Sequence, residues 1–116
     1  MGRLTTHVLD TNLGKPAAGL TIELWRMDGP EALIKTVATN ADGRVDKPLL
    51  EGAELKSGVY ELRFNVASYL RASGTSLASI PFLDVVPIRF GVADASQHYH
   101  VPLLVSAHGY ATYRGS

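Results

Sequence analysis

The stretch His98-Tyr99-His100-Val101-Pro102-Leu103-Leu104-Val105 alternates in character from one residue to the next. Successive side chains of a β-strand point to opposite sides. One side is apolar and suits a protein core: Tyr99, Val101, Leu103 and Val105. The other side lacks the Lys, Glu and Thr of a solvated face: His98, His100, Pro102 and Leu104. Such an outer face is usually buried against a partner, so we expect a subunit interface here. The alternative is a central strand covered by a loop.

The same period-two alternation recurs along the chain and predicts six further strands. They span residues 4–9, 20–26, 33–39, 59–64, 84–90 and 109–115. The segment Val66 to Ala72 contains good helix formers and is followed by Gly74, so it is predicted to be a short helix. These elements predict an all-β fold, a two-sheet antiparallel β-sandwich of seven to eight strands with one short helix. Its length predicts a single domain over residues 1–116.

The composition excludes several classes of protein. The chain has 116 residues, with 11 Lys and Arg against 11 Asp and Glu, whereas a nucleic-acid-binding domain normally has a basic excess. It has no cysteine, which excludes a disulfide framework and a thiolate metal site. Its apolar runs are too short to cross a bilayer, and Met1 to Thr6 lacks the apolar segment of a signal peptide. We predict no nucleic-acid or membrane partner, and a cytoplasmic location unless a signal peptide has been removed.

Three of the four histidines lie on predicted strands. His98 and His100 are two residues apart and share one side of their strand, and His7 lies in the first strand. The reference pKa of histidine, about 6.5, allows proton exchange near neutral pH, so general acid–base catalysis is one interpretation. The same three side chains could instead hold a zinc ion and act as a metal hydrolase.

Two arginines are further candidates. Arg44 directly follows the turn Asn40-Ala41-Asp42-Gly43. Arginines at turns are commonly solvated, but the fork of donors on a guanidinium could bind a planar, anionic ligand. Arg114, in the last predicted strand, could be a salt-bridge partner.

Four motifs together resemble a known family. Residues 4–11 read LTTHVLDT, residues 81–91 read PFLDVVPIRFG, residues 98–104 read HYHVPLL and residues 113–116 read YRGS. The first and third are similar to the N-terminal and penultimate-strand motifs of the transthyretin-related (transthyretin-like) proteins. The last resembles the C-terminal tetrapeptide of their enzyme branch, the 5-hydroxyisourate hydrolases. The resemblance covers essentially the whole chain.

The resemblance implies a transthyretin-like sandwich that assembles as a homotetramer, a dimer of dimers with active sites at the dimer–dimer interface. It implies a cyclic amide hydrolase of urate degradation that converts 5-hydroxyisourate to 2-oxo-4-hydroxy-4-carboxy-5-ureidoimidazoline, with no cofactor and no metal. Its catalytic residues map onto His7, Arg44 and His100. Its tail residues map onto Tyr113, Arg114, Gly115 and Ser116, which would line the same substrate pocket.

We expect a histidine to act as general base on water that attacks the C6 carbonyl, while Arg44 offsets charge on the oxyanion. The expected base is His7, and His100 could exchange roles with it. The chain departs from the family pattern at Ala107 and Ala111, where proline and serine are common; neither departure removes a catalytic group. Two alternatives are a carrier of small aromatic ligands in the tetramer channel and a pure interaction module.

Overall fold

Two β-sheets stack against each other in the computed structural model, which describes residues 1–115. The strands are β1 (Arg3–Asp10), β2 (Lys15–Pro16), β3 (Thr21–Arg26), β4 (Ala32–Ala38), β5 (Leu50–Glu51), β6 (Gly58–Asn65), β7 (Val85–Val92), β8 (His98–Val105) and β9 (Tyr110–Thr112). The first sheet has the order β2-β1-β8-β9, with β5 also pairing with β1, and the second has the order β4-β3-β6-β7. The predicted sandwich is confirmed. Strands β2 and β5 were not predicted, because two residues are too few to show an alternation.

The predicted helix is confirmed as α1 (Val66–Ala72), and a short 3-10 helix spans Gly52–Glu54. Along the part of the chain that the structure describes, no helix has the length and apolar character needed to cross a membrane.

One strand pair departs from the predicted antiparallel arrangement. Strand β1 pairs with β8 in parallel, with Leu4 opposite Tyr99 and Val8 opposite Leu103. Alternation shows which side of a strand is buried but carries no information about the direction of its neighbour. These two strands come from opposite ends of the chain and share no turn, so no turn signal could reveal their relative direction.

The core lies between the sheets and is filled by the predicted inward-facing side chains. Leu20, which directly precedes β3, is buried together with Ile22 and Leu24 of β3 and with Tyr99, Val101, Leu103 and Val105 of β8. In β1, the buried residues are Leu4, Thr6, Val8 and Asp10, so Thr5, His7 and Leu9 point outward. The outer face of the first sheet is therefore the one that carries the histidines.

The last strand is shorter than predicted. Strand β9 covers Tyr110–Thr112 rather than residues 109–115, although a single bridge between His100 and Gly115 keeps the same register. On β8, Pro102 lies between the residues that pair with β9 and the bridge at His100. It has no backbone N–H to donate to the hydrogen-bond ladder. The Pro102 carbonyl instead accepts a 2.7 Å hydrogen bond from the Thr112 hydroxyl. The proline thus interrupts the pairing and frees the tail from regular strand geometry.

Candidate active site

The parallel register of β1 and β8 gathers the strand residues of the site. Thr5 lies opposite His100, and His7 lies two pairs farther along, opposite Pro102. All four side chains are on the outer face, where Thr5, His7 and His100 are half-buried. Pro102 is already buried in the single chain, because it lies between His7 and the tail. The sequence instead predicted that a partner subunit covers it. Two histidines from opposite ends of the chain thus become neighbours.

Arg44 reaches this face because its turn pairs with the edge of β1, where a single antiparallel bridge joins His7 and Arg44. The Asn40 side-chain oxygen accepts hydrogen bonds from the backbone N–H groups of Asp42 and Arg44, at 2.9 and 3.1 Å. Gly43 has a positive φ, 74°, and a Cβ there would clash with the Val8 carbonyl oxygen. The backbone N–H of Val8 in turn donates to the Gly43 carbonyl at 2.8 Å. Only glycine permits this approach.

His100 is held in a defined orientation and favours the neutral imidazole. Its Nδ1 lies 2.8 Å from the Thr5 hydroxyl oxygen. Burial lowers the pKa of His100 below its usual value of 6.5, and the charges of Arg44 and His7 lower it further. A neutral imidazole has one nitrogen that can accept a proton. His100 is therefore suited to act as a base at neutral pH.

His7 has a different environment. Its Nε2 lies 2.9 Å from the backbone carbonyl oxygen of Asp42, which can only accept a hydrogen bond, so Nε2 carries a proton. This bond ties the ring to the turn that positions Arg44. His7 consequently presents no free Nε2 lone pair in this arrangement.

The tail residues separate into two groups. Gly115 lies against His100: its backbone N–H donates to the His100 carbonyl at 2.7 Å, and a Cβ on Gly115 would be 2.7 Å from His100 Cδ2. The Arg114 guanidinium instead lies 4.1 Å from the centre of the Tyr99 ring and donates to Gln97 Oε1 at 2.9 Å. No salt-bridge partner of Arg114 is found among residues 1–115.

Tyr113 is 60% exposed and lies with Arg114 beside β7. The structure thus brings Gly115 to the histidines but directs Arg114 toward Tyr99. Ser116 lies outside the described residues.

His100 and Arg44 share an open depression of about 450 Å³ on the outer face. Its lining comprises Arg3, Thr5, Thr6, Arg44, Val45, Lys47, His98 and His100; His7 is adjacent on β1 but does not line it. In such an arrangement, a neutral imidazole can accept a proton from water, and the neighbouring guanidinium can stabilise an anion. The zinc site considered above is not formed, since within residues 1–115 no three His, Cys, Asp or Glu side chains are arranged to hold a metal ion.

Three residues that border the candidate site were not among the predicted site residues. Thr5 belongs to the first motif but had no predicted role, although its hydroxyl oxygen lies 2.8 Å from His100 Nδ1. Arg3 and Lys47 carried no motif, yet both line the depression. The outward side of β1 offered a signal for Arg3 and Thr5, which alternate with the buried Leu4 and Thr6.

Comparisons with known proteins match the chain to one family. The HIUase/Transthyretin family model matches residues 4–115. The 5-hydroxyisourate hydrolase of Mesorhizobium japonicum is 65% identical over 116 residues, which cover 99% of this chain and 93% of that protein. The structure of Klebsiella pneumoniae 5-hydroxyisourate hydrolase superposes with a TM-score of 0.82 at 32% identity, over 100% of both chains. Sea bream transthyretin in complex with thyroxine superposes with a TM-score of 0.85 at 27% identity, over 97% of this chain and 94% of that one.

Proposed function

This chain belongs to the HIUase/Transthyretin family, and on that premise we propose that it is a hydrolase that opens the ring of 5-hydroxyisourate in urate degradation. The match to a relative of that name at 65% identity over nearly the whole chain supports this substrate. The observation that carries the chemistry is the placement of His100 and Arg44 in one open depression, where burial lowers the pKa of His100. The product is 2-oxo-4-hydroxy-4-carboxy-5-ureidoimidazoline, which makes the enzyme a cyclic amide hydrolase.

In the proposed reaction, His100 is the general base rather than His7. When the Nδ1–H of neutral His100 donates a hydrogen bond to the Thr5 hydroxyl oxygen, Nε2 carries the free lone pair. This lone pair can take a proton from water. The water oxygen bonds to the C6 carbonyl carbon, and the C6–N1 bond then breaks. The imidazolium returns its proton to N1, and the new carboxyl group ionises to a carboxylate. Positioned proton transfer of this kind contributes roughly 10²- to 10⁴-fold in rate.

Arg44 and His7 have supporting roles in this proposal. Arg44 offsets the negative charge that develops on the carbonyl oxygen as water attacks. His7 donates to the Asp42 carbonyl and so holds the turn that carries Arg44, while its charge favours the neutral form of His100. Gly115 packs against the His100 ring. Tyr113 and Ser116 stay predicted members of the substrate pocket, and Arg114 would have to leave the Tyr99 ring to join them.

We propose a homotetramer, a dimer of dimers, with the active sites at the dimer–dimer interface. The support is the outer face of the first sheet, where Leu9 and Leu104 lie side by side and half-buried. Tyr113, at the edge of this face, is 60% exposed. Covering the open depression with a second copy would also shield the site from bulk solvent while leaving room for the reacting water. The cytoplasmic location of the protein stays a prediction.

A spectroscopic assay tests the function. Urate oxidase generates 5-hydroxyisourate from urate, and its ultraviolet decay is followed with the protein present. We expect acceleration that a chelator leaves unchanged. His100→Ala should lower kcat/KM by about 10²-fold or more, whereas His108→Ala, whose ring packs on Phe82 away from the site, should not. Decay no faster than the spontaneous reaction would contradict the proposed hydrolase activity and favour a carrier without turnover.

A further inference from the structure

The depression that holds His100 contains more positive charge than the proposed chemistry uses. Besides Arg44, its lining includes Arg3 and Lys47. Arg3 extends from the outer face of β1, where the parallel register places it opposite His98 and two pairs before Thr5 and His100. Lys47 belongs to the segment between the Arg44 turn and β5, which follows β1: the Leu49 N–H donates to the Leu4 carbonyl at 2.8 Å. Two cations from different segments therefore border the reaction centre.

Among residues 1–115, these cations have no anionic partner. The ion pairs among residues 1–115 join Arg26, Arg63 and Arg89 to carboxylates elsewhere. The carboxylate nearest in sequence, Asp46, accepts a 2.8 Å hydrogen bond from the Asn40 side chain and is not part of the lining. In the described chain, no Asp or Glu lines the depression. A concave surface lined by one sign of charge concentrates ligands of the opposite sign.

We infer that Arg3 and Lys47 form a carboxylate-binding subsite beside the reaction centre, which receives the carboxylate that ring opening releases. This inference rests on the proposed function, because hydrolysis of the C6–N1 amide adds a carboxylate that the substrate does not have. A subsite of this kind favours the negatively charged product side of the reaction over the closed ring. It also makes the enzyme sensitive to planar carboxylates that resemble the product.

A matched pair of stable probes separates the carboxylate from the ring. Uracil and orotate are both planar rings with cyclic amides, and orotate adds a carboxylate. Calorimetry or NMR titration gives the dissociation constant of each with the intact protein, without any turnover. We expect wild-type protein to bind orotate more tightly than uracil, and added salt to weaken orotate binding most.

The variants Arg3→Gln and Lys47→Gln test the two side chains. Each should weaken orotate binding about fivefold, the upper end for a partly exposed ion pair, and the double variant by about 25-fold if the two effects add. Uracil binding should not change. Lys56→Gln is the matched control, since Lys56 is exposed and outside the depression.

Three outcomes would overturn the subsite: no orotate preference in wild-type protein, a preference retained in the double variant, or an equal loss in Lys56→Gln, which would indicate only long-range charge. Hydrolysis of 5-hydroxyisourate by the same wild-type preparation is measured separately. An inactive protein that shows the expected orotate preference would contradict the proposed function but not the subsite, while an active protein without it would contradict only the subsite.

Discussion

Replacing Gly115 by alanine should impair catalysis without impairing folding. The added Cβ would lie 2.7 Å from His100 Cδ2 and 3.1 Å from His100 Cβ, whereas non-bonded carbons are most stable at about 3.5–4.0 Å. Because the second contact is to the Cβ of His100, rotating the ring cannot relieve both. Either the imidazole or the tail must move by about 1 Å.

A displacement of this size acts on the proposed base. Misplacing a reacting group by about 1 Å can cost about 10²-fold in rate, which corresponds to about 2.7 kcal/mol of transition-state stabilisation. Gly115 does not have the positive φ that would exclude alanine. We therefore expect a melting temperature close to that of the wild type, because the about 0.4–1 kcal/mol that a Gly→Ala change contributes through the unfolded chain offsets part of the cost of moving the tail.

The assay is the steady-state kcat/KM for 5-hydroxyisourate, combined with a thermal melt and a crystal structure of the variant. Gly109→Ala is the matched control, because a Cβ at Gly109 has no neighbour within 4 Å and its φ is also compatible with alanine. If Gly115→Ala keeps kcat/KM within about twofold of the wild type, or if Gly109→Ala loses as much, the steric argument is refuted.

Three other perturbations test the same structure. By NMR titration, the pKa of His100 should lie below 6.5, because burial and the charges of Arg44 and His7 disfavour its protonated form; Arg44→Gln should raise it, and a value at or above 6.5 in the wild type would contradict this environment. Thr5→Val removes the hydroxyl bonded to His100 Nδ1 and should lower kcat/KM about 5- to 10-fold, as expected for loss of one hydrogen bond. Thr5→Ser keeps a hydroxyl and should keep most activity. Equal losses of kcat/KM in the two variants would refute an orienting role. Burial raises the pKa of Tyr69 to about 12, so its hydroxyl stays protonated and donates to a buried Asp10 oxygen at 2.8 Å; Tyr69→Phe should lower the free energy of unfolding by about 1–3 kcal/mol, and an unchanged denaturation midpoint would contradict that contribution.

Period-two patterning predicted the faces of the strands well because burial is a local property of each strand. The inward residues Tyr99, Val101, Leu103 and Val105 are all buried, and helix α1 has the predicted bounds, Val66–Ala72. Patterning could not predict the parallel pairing of β1 with β8 or the end of β9 at Thr112. The first depends on long-range topology, and the second on where Pro102 falls in the hydrogen-bond ladder.

The candidate site divides in the same way. The motifs identified His7, His100, Arg44 and the tail as candidates, but they assigned all tail residues to one pocket. Arg114 instead stacks on Tyr99. The direction of the Arg114 side chain depends on how the tail leaves β9 after Thr112, beside Pro102 of the neighbouring strand. No local sequence pattern encodes this.

The sequence by itself determined which side chains face outward and which chemical groups the site could use, because strand alternation and residue chemistry are local. Only the tertiary structure decided which of those groups meet. Thr5 and His100 are 95 positions apart and form a 2.8 Å contact because two strands happen to be paired in one register. The same register, together with the turn held by Asn40 and Gly43, places Arg3, Arg44 and Lys47 around a single depression. Proximity between distant residues depends on the packing of the whole sandwich, so it could not be inferred from any one segment.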